Sequence, residues 1–544
     1  MNKMNHLLAG LALAACCLAA CRKTDPPGGG SGGNTTRQIE KGEHLADVTY
    51  QVNVYSFADS DGDGWGDLRG VKQHLDYFES LGVSALWLSP IQTSMSYHGY
   101  DVTDYFTINP KLGTEADFQS LIEEAKHRGI DIYMDYVLNH SGSDNPWFQA
   151  ALADPASPYR DYYVFSDNPT SDVAAGKIDN YAGAKNSGMG NWYKTSDGSY
   201  YFASFDKAMP DFNYGPYREC SESAAFKDLA ASADKWINMG VAGMRLDAVR
   251  WIYQDQQLAN VYFLHQWYEH CVQTRNASGG SGFYMVGEAW CDNAEQMADY
   301  YGALPSCFNF YYYWTLKDRI NNGKGNDFAK TVLYFRGLFR QRNSGFIDAI
   351  KLTNHDEDRV ASDLGRDINK EKLAAAVLLT SPGKPFIYQG EELGYWGTTS
   401  KGDEYVRTPI KWTRSGSVPS IALGGKMDVA MLTADISVEA QANDKSSLLN
   451  VYRKFSEARN TYKALAKGEM KEVSSPNDGV AIWTMEHDGQ TVLVIHNFSS
   501  STATAVLPAK YGVSNETNLV SNGTYTIKGS SVSMGAYSSV VFAL

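Results

Sequence analysis

The chain has 544 residues, 43% of them hydrophobic and 20% charged, with a formal net charge of −14. That length exceeds one small domain and suits a large barrel with an accessory domain, and the acidic balance argues against polyanionic partners such as nucleic acid. Aromatics make up 13%, with 35 Tyr and 12 Trp, which fits large cores and equally fits stacking surfaces for sugar rings.

The first residues read as a processing segment. Residues 1–6 carry Lys3, and residues 7–20 are apolar and small, too short to span a bilayer. They end in Leu18-Ala19-Ala20-Cys21, which resembles a bacterial lipobox with lipidation on Cys21; Leu13-Ala14-Ala15-Cys16 competes with it. The plain alternative is a soluble secreted protein with ordinary signal cleavage. The expected order is a signal over 1–21 and a Gly/Ser-rich tether over 22–45. A lipid anchor would place the protein at the bacterial outer membrane, on its periplasmic or cell-surface face. Cys220, Cys271, Cys291 and Cys307 follow the signal; export permits disulfides, spacing assigns none, and no CxxC metal pattern is present.

From Val48 onward strand-like and helix-like blocks alternate, the pattern of an α/β fold. Strands are expected at 50–57, 85–89, 131–137, 243–248, 283–288, 308–313, 350–353 and 386–389. Thr114-Glu115-Ala116-Asp117 opens a helix with a capping-box-like start, and Phe118, Leu121, Ile122 and Ala125 follow at helical spacing. Another helix is expected over 224–239, stopped by Gly240. Eight strands with interleaved helices favour a (β/α)8 TIM barrel over a doubly wound sheet. The barrel is expected over 46–140 and 217–463. Residues 141–216 are too long for an ordinary loop and read as an excursion domain after strand 3. A second long connection spans 395–446, and 448–460 reads as the last barrel helix. Alternating apolar runs flank the turn His487-Asp488-Gly489, so 464–544 is expected to be an antiparallel β-sandwich.

Acids end several of the expected barrel strands: Gly243-Met244-Arg245-Leu246-Asp247, Val286-Gly287-Glu288 and Asn354-His355-Asp356. A lone loop Asp is usually a cap or turn residue. Acids at matching strand ends converge on one barrel face, where such barrels work. Two carboxyls about 5–5.5 Å apart serve a retaining glycosidase as nucleophile and acid/base. Asp247 suits the nucleophile, and Arg245, two residues earlier on the strand, shares its direction and would orient it. Glu288 suits the general acid, and Asp356 a sugar-binding and transition-state role. His98, His140 and His355 abut these motifs and could donate to sugar hydroxyls, although a solitary His is more often structural. No HxH or HExxH spacing supports a metal hydrolase. Asp59, Asp61, Asp63, the Trp65 carbonyl and Asp67 follow the start of a calcium loop. Its twelfth position is Gly70, so it is no complete EF-hand, and an Asp/Gly-rich turn is the plain alternative.

Together these motifs resemble the α-amylase family of glycoside hydrolases, from about residue 46 to the end. They appear in the family's order as Asp135-Tyr136-Val137-Leu138-Asn139-His140, then Arg245 and Asp247, Glu288, and His355-Asp356, with Met209-Pro210-Asp211-Phe212-Asn213 as the extra motif of the excursion domain. The resemblance implies a retaining mechanism on an α-glucan with those roles for Asp247, Glu288 and Asp356. It implies sugar contacts by Tyr100, His140, Arg245 and His355, to which His98, Asp101 and Arg407 are added as candidates. Ser96-Tyr97-His98-Gly99-Tyr100-Asp101 and the lipobox are similar to the outer-membrane lipoprotein amylases of Bacteroidetes starch-utilisation systems. That likeness implies outer-membrane glycan-uptake proteins as partners. A starch-binding module sits in the excursion domain of that type; 141–216 is too short for one.

Arg250-Trp251 stands where the family often has Lys-His. A backbone carbonyl survives that change, so a second calcium site at Asn139 and Asp211 is expected as the weaker one. Ala248 is similar to α-1,4-acting members. Arg407-Thr408-Pro409 resembles the exo-acting side, which keeps an α-glucosidase, a neopullulanase-like enzyme or a glucanotransferase as alternatives. A non-catalytic glycan-binding protein is the alternative of another class.

Overall fold

The computed structural model describes residues 48–175, 178, 191–254, 256–420 and 436–544. The expected signal, the lipobox with Cys16 and Cys21, the tether and parts of both long connections lie outside them.

Eight parallel strands close a barrel: β1 (Thr49–Val52), β2 (Ala85–Leu88), β3 (Asp131–Tyr136), β4 (Gly243–Leu246), β5 (Tyr284–Gly287), β6 (Ser306–Asn309), β7 (Ile347–Lys351) and β8 (Lys384–Tyr388). Neighbours pair in chain order, and β1 closes on β8 through Tyr50 opposite Ile387. The two-residue period of a strand sorts each one between two cores. Ala85 and Trp87 point into the barrel with Tyr133, Val286, Phe308 and Phe386. Leu86 and Leu88 point outward into the layer packed under the helices. Both faces are therefore apolar, as a buried parallel sheet requires.

The helix Glu115–His127 starts with the expected box: Thr114 and Asp117 exchange side-chain and backbone hydrogen bonds. Ala224–Met239 stops at Gly240, whose φ of 119° is a left-handed conformation. Two expected strands are shorter than their sequences suggest. Residues 54–57 form a helical turn after Asn53. Residues 310–313 open the helix Phe310–Asn322, because Asn309 Oδ1 accepts from Tyr312 N at 3.0 Å and caps it. Aromatic residues favour strands on average, and the cap overrides that preference here. An antiparallel hairpin, Gln92–Ser94 with Val102–Ile108, follows β2. After β3 the excursion holds the helix Pro146–Ala153 and a small antiparallel sheet of Phe165–Ser166, Tyr200–Ala203 and Asn191–Lys194.

The C-terminal part has a five-stranded and a three-stranded antiparallel sheet. Ile482, Ile495, Val532 and Phe542 fill the space between them. Trp483 on the larger sheet and Phe498 just past one of its strands meet Phe328 of a barrel helix. His496, fully buried, bridges Thr380 Oγ1 at 3.0 Å and Ser539 Oγ at 2.7 Å. Burial pushes its pKa down to about 3. The unfolded chain then takes up a proton below about 6.5 that the folded one refuses until about 3, so this group costs stability as pH falls through that window. A His496→Gln variant is expected to be less stable than the parent at neutral pH. In urea titrations at several pH values the gap should close by about 1.4 kcal/mol per pH unit below 6.5; a constant gap would mean that His496 titrates normally.

Cys220, Cys271, Cys291 and Cys307 are all free thiols. Among the described residues no helix is long and apolar enough to cross a membrane.

Candidate active site

The barrel delivers its polar residues to one mouth. Asp135 on β3 lies in register with Arg245 on β4, and Val286 on β5 pairs on the other side of Arg245. After β4 the chain turns sharply at Ala248, whose φ of 47° is left-handed. Such a conformation is costly for a residue with a Cβ and needs surrounding structure to hold it. Here Ala248 N faces Glu288 Oε2 at 3.4 Å and Val249 N donates to the Glu288 carbonyl at 3.2 Å. The turn therefore brings Asp247 and Glu288 together.

Arg245 is the hub and has no solvent exposure. Its Nη1 donates to Asp247 Oδ1 at 2.7 Å and to Asp135 Oδ1 at 2.9 Å, and its Nη2 lies 2.7 Å from Glu288 Oε2. The guanidinium also sits over the Trp87 and Tyr100 rings, which exclude water from one side. Burial pushes the Asp247 carboxyl up, with Glu288 and Asp135 adding to it, while Arg245 pulls it down. Burial likewise raises Asp135 to about 6 against the pull of Arg245. Asp135 accepts from Trp87 Nε1 at 3.0 Å and from the Tyr100 hydroxyl at 2.9 Å. Asp356, from the loop after β7, is the more open acid; Arg407 Nη2 lies 2.8 Å from its Oδ1. Asp135, Asp247, Glu288 and Asp356 thus share Arg245 and Arg407.

The histidines are neutral donors. Burial holds His355 well below its ordinary value and lowers His140 to about 4. Gln51 Nε2 donates to His355 Nδ1 at 2.8 Å, so the His355 proton sits on Nε2. That nitrogen faces the Tyr100 hydroxyl at 2.7 Å and Asp356 Oδ2 at 3.1 Å. The Tyr100 and His355 rings stack with a 4° interplanar angle. His140 Nε2 donates to the Tyr100 carbonyl at 3.1 Å.

A cavity of about 480 Å³ opens above this cluster, and Asp247, Glu288, Asp356, His98, Tyr100, His140 and Arg407 reach it. A larger cavity, about 670 Å³, lies in the excursion region around Arg160 and Asp172, away from these acids. Of the expected sugar-binding residues, Arg245 and His355 do not line the catalytic cavity but contact its wall acids Asp247 and Asp356, and Asp101 is not on the wall either. Its Oδ1 accepts from Ser96 N at 3.2 Å and Ser96 Oγ at 2.8 Å, which makes it the clasp of the 96–101 loop. Gly99 completes that loop at φ 82°, where a Cβ would meet the Pro90 carbonyl oxygen at 2.7 Å. Sequence reasoning missed Asp135 as a site member, although an Asp inside an apolar strand is itself a signal that a cation waits beside it. It also missed the walls contributed by Phe205, Met209, Trp251, Trp290 and Asp403; Met209 and Trp251 stand within stretches the family motifs mark, and no local pattern points to the other three.

In the Asp59 loop, the carboxylates of Asp59, Asp61 and Asp67 each offer an oxygen within 4.8 Å of the others. Asp63 is not in that group; its Oδ1 accepts from Trp65 N at 2.8 Å. Clustered carboxylate oxygens are the donor set a hard divalent cation takes, and these residues fit one. The expected second site does not fit. Asp211 is surrounded by neutral donors: Ser204 N at 2.9 Å, Ser204 Oγ at 2.5 Å and Gln254 Nε2 at 3.1 Å.

A closed eight-stranded barrel with acids, a buried arginine and neutral histidines at one mouth defines a barrel enzyme that works through carboxylates. Residues 51–468 match the alpha amylase catalytic domain family, and residues 480–541 match the alpha-amylase SusG C-terminal domain. The chain is 37% identical to alpha-amylase SusG of Bacteroides thetaiotaomicron, covering 92% of this chain and 91% of that protein. It is 38% identical to alpha-amylase 3 of Dictyoglomus thermophilum, over 83% and 84% of the two chains. The crystal structure of an alpha-amylase from H.orenii superposes with a TM-score of 0.77 at 32% identity, covering 93% of this chain and all of that one. The chain belongs to the α-amylase family and is a glycoside hydrolase.

Proposed function

We propose that the protein is an endo-acting α-amylase that cuts α-1,4 bonds of starch or maltooligosaccharides with retention of configuration. The observation that carries this reading is the bridging of Asp247 and Glu288 by the single guanidinium of Arg245. One guanidinium spanning both carboxyls supports the close spacing of a retaining pair over the wider gap that an inverting enzyme keeps for water. In this reading Asp247 attacks the anomeric carbon while Glu288 gives its proton to the departing glycosidic oxygen. Glu288 then takes a proton from the water that releases the sugar from Asp247. Asp356 binds hydroxyls and, with its negative charge, favours the oxocarbenium-like transition state. His98, His140, His355, Tyr100 and Arg407 hold the ring. The relatives named above are α-amylases, which supports a starch-type substrate. A time course on soluble starch tests this: mixed maltooligosaccharides are expected early. Glucose alone would establish an exo-glucosidase, and no product from folded protein a glycan-binding protein.

The endo reading has support beside Glu288. Trp290 lines the cavity, packs on Phe310 at 4.1 Å between centroids and lies 6.5 Å from Trp314, which is 38% exposed. These rings offer a leaving glucan chain faces to lie on. Trp314→Ala is expected to raise KM for long glucan about 3–10-fold, the equivalent of about one aromatic contact. Turnover of a short chromogenic maltoside should not change. Equal loss on both substrates would place Trp314 in folding instead.

The same reading includes calcium at Asp59, Asp61 and Asp67 with the Trp65 carbonyl, where the ion would fix the loop after β1 and take no part in bond cleavage. It includes division into a barrel over 46–140 and 217–463, an excursion over 141–216 and a sandwich over 464–544. It also includes a lipid anchor on Cys21 at the outer membrane, beside glycan-uptake proteins; the lipobox supports this.

A further inference from the structure

We infer that the side-chain amide of Gln254 stands in for a cation between the barrel and the excursion. Three oxygens from separate chain segments converge on its Nε2. These are Ser204 Oγ at 2.7 Å, Asp211 Oδ2 at 3.1 Å and the Trp251 carbonyl at 3.1 Å. Gln254 is fully buried, and its φ of 51° is left-handed. The surroundings hold that strained backbone: Asn260 Nδ2 donates to the Gln254 carbonyl at 2.8 Å, and Asn260 Oδ1 accepts from Tyr253 N at 2.7 Å. Gln254 Oε1 is buried without a partner. Turning the amide over would aim that oxygen at three others, so the acceptors dictate its orientation.

An acid, a hydroxyl and a backbone carbonyl around one point are a hard-oxygen donor set. The nitrogen fills that point and supplies hydrogen-bond donors where an ion would supply charge. Asn139, the other expected ligand, turns a donor toward Asp211, and its Oδ1 has no partner. The consequence reaches the cavity. Phe205 and Met209 sit on the segment that Ser204 and Asp211 anchor, and Trp251 sits on the loop after β4; all three line the cavity. Gln254 is therefore a positioning residue: it holds the excursion wall against the barrel wall without a metal.

The inference is independent of the hydrolase reading and of calcium at the Asp59 loop, and its test keeps them apart. Elemental analysis of the folded full chain carrying Asp59→Asn and Asp61→Asn should find no bound calcium. One ion left there would overturn the inference. Gln254→Glu, an isostere that sets oxygen against oxygen, should melt several degrees below the parent in chelator and show a raised KM with kcat less affected. Excess calcium should restore its Tm and KM and add one ion per chain relative to the parent. Gln254→Lys, which offers a cation without metal, should stay close to the parent in chelator. Gln254→Glu as stable as the parent in chelator would show that the amide holds nothing. A destabilised Gln254→Glu that calcium fails to restore would refute the equivalence of amide and ion.

Discussion

Asp247→Asn is expected to lose hydrolysis by about 10⁴-fold or more while keeping the fold. Loss of a nucleophile removes the covalent route, and the residual rate then comes from binding and the remaining charge stabilisation. The fold should survive for an electrostatic reason. Asp247 sits among Glu288, Asp135 and Asp356, each of which disfavours its ionised form, and only Arg245 opposes them. An amide there relieves the repulsion, and its oxygen still accepts from Arg245. Thermal denaturation should therefore give a Tm equal to or above the parent. Starch hydrolysis within tenfold of the parent would remove Asp247 from the nucleophile's role; a large fall in Tm would make the activity loss uninformative.

Arg245→Met carries the largest expected cost in stability. The variant would leave Asp135, which has no exposure, and the largely buried Asp247 and Glu288 without their shared cation. Removing one partner of a buried charge pair typically costs about 3–5 kcal/mol. The pH dependence follows from Asp135, held at about 6 even with Arg245 beside it. Without the guanidinium its folded pKa moves further up. An acid whose folded pKa exceeds its unfolded value binds protons more tightly in the folded state, so stability is lost as pH rises. Parent and variant lose it together up to about pH 6, and above that only the variant continues to lose. Urea melts should thus show the gap widening above pH 6. A gap independent of pH would mean that Arg245 supports packing rather than charge. Lysine is not expected to rescue, because an ammonium cannot span Asp247 and Glu288 as the planar fork does.

Much of the mouth was legible because chemistry and periodicity coincide there. Arg245 and Asp247 share a face of β4 through the two-residue period, and each acid ends an apolar run. The barrel followed from eight such runs. Apart from Asp135 on β3, what escaped lies in loops whose position no local pattern encodes. Phe205 and Met209 reach the cavity from the excursion, and Asp403 from the connection after β8. Gln254 carries no sequence signal at all, since its role exists only where Ser204, Asp211 and Trp251 meet. Asp101 shows the converse: next to Tyr100 and matched to a family motif, it is spent on Ser96. Phe310 through Tyr313 read as strand by composition, and the single cap at Asn309 made them helix.

The most direct test of the account is covalent. Glu288→Gln protein would be incubated with a fluorinated glycosyl fluoride, which forms the glycosyl-enzyme without needing an acid, and the labelled peptide sequenced by mass spectrometry. One sugar per chain, esterified to Asp247, is the expected result. A label on any other residue, or a first product of inverted anomeric configuration from the unaltered enzyme, would contradict it.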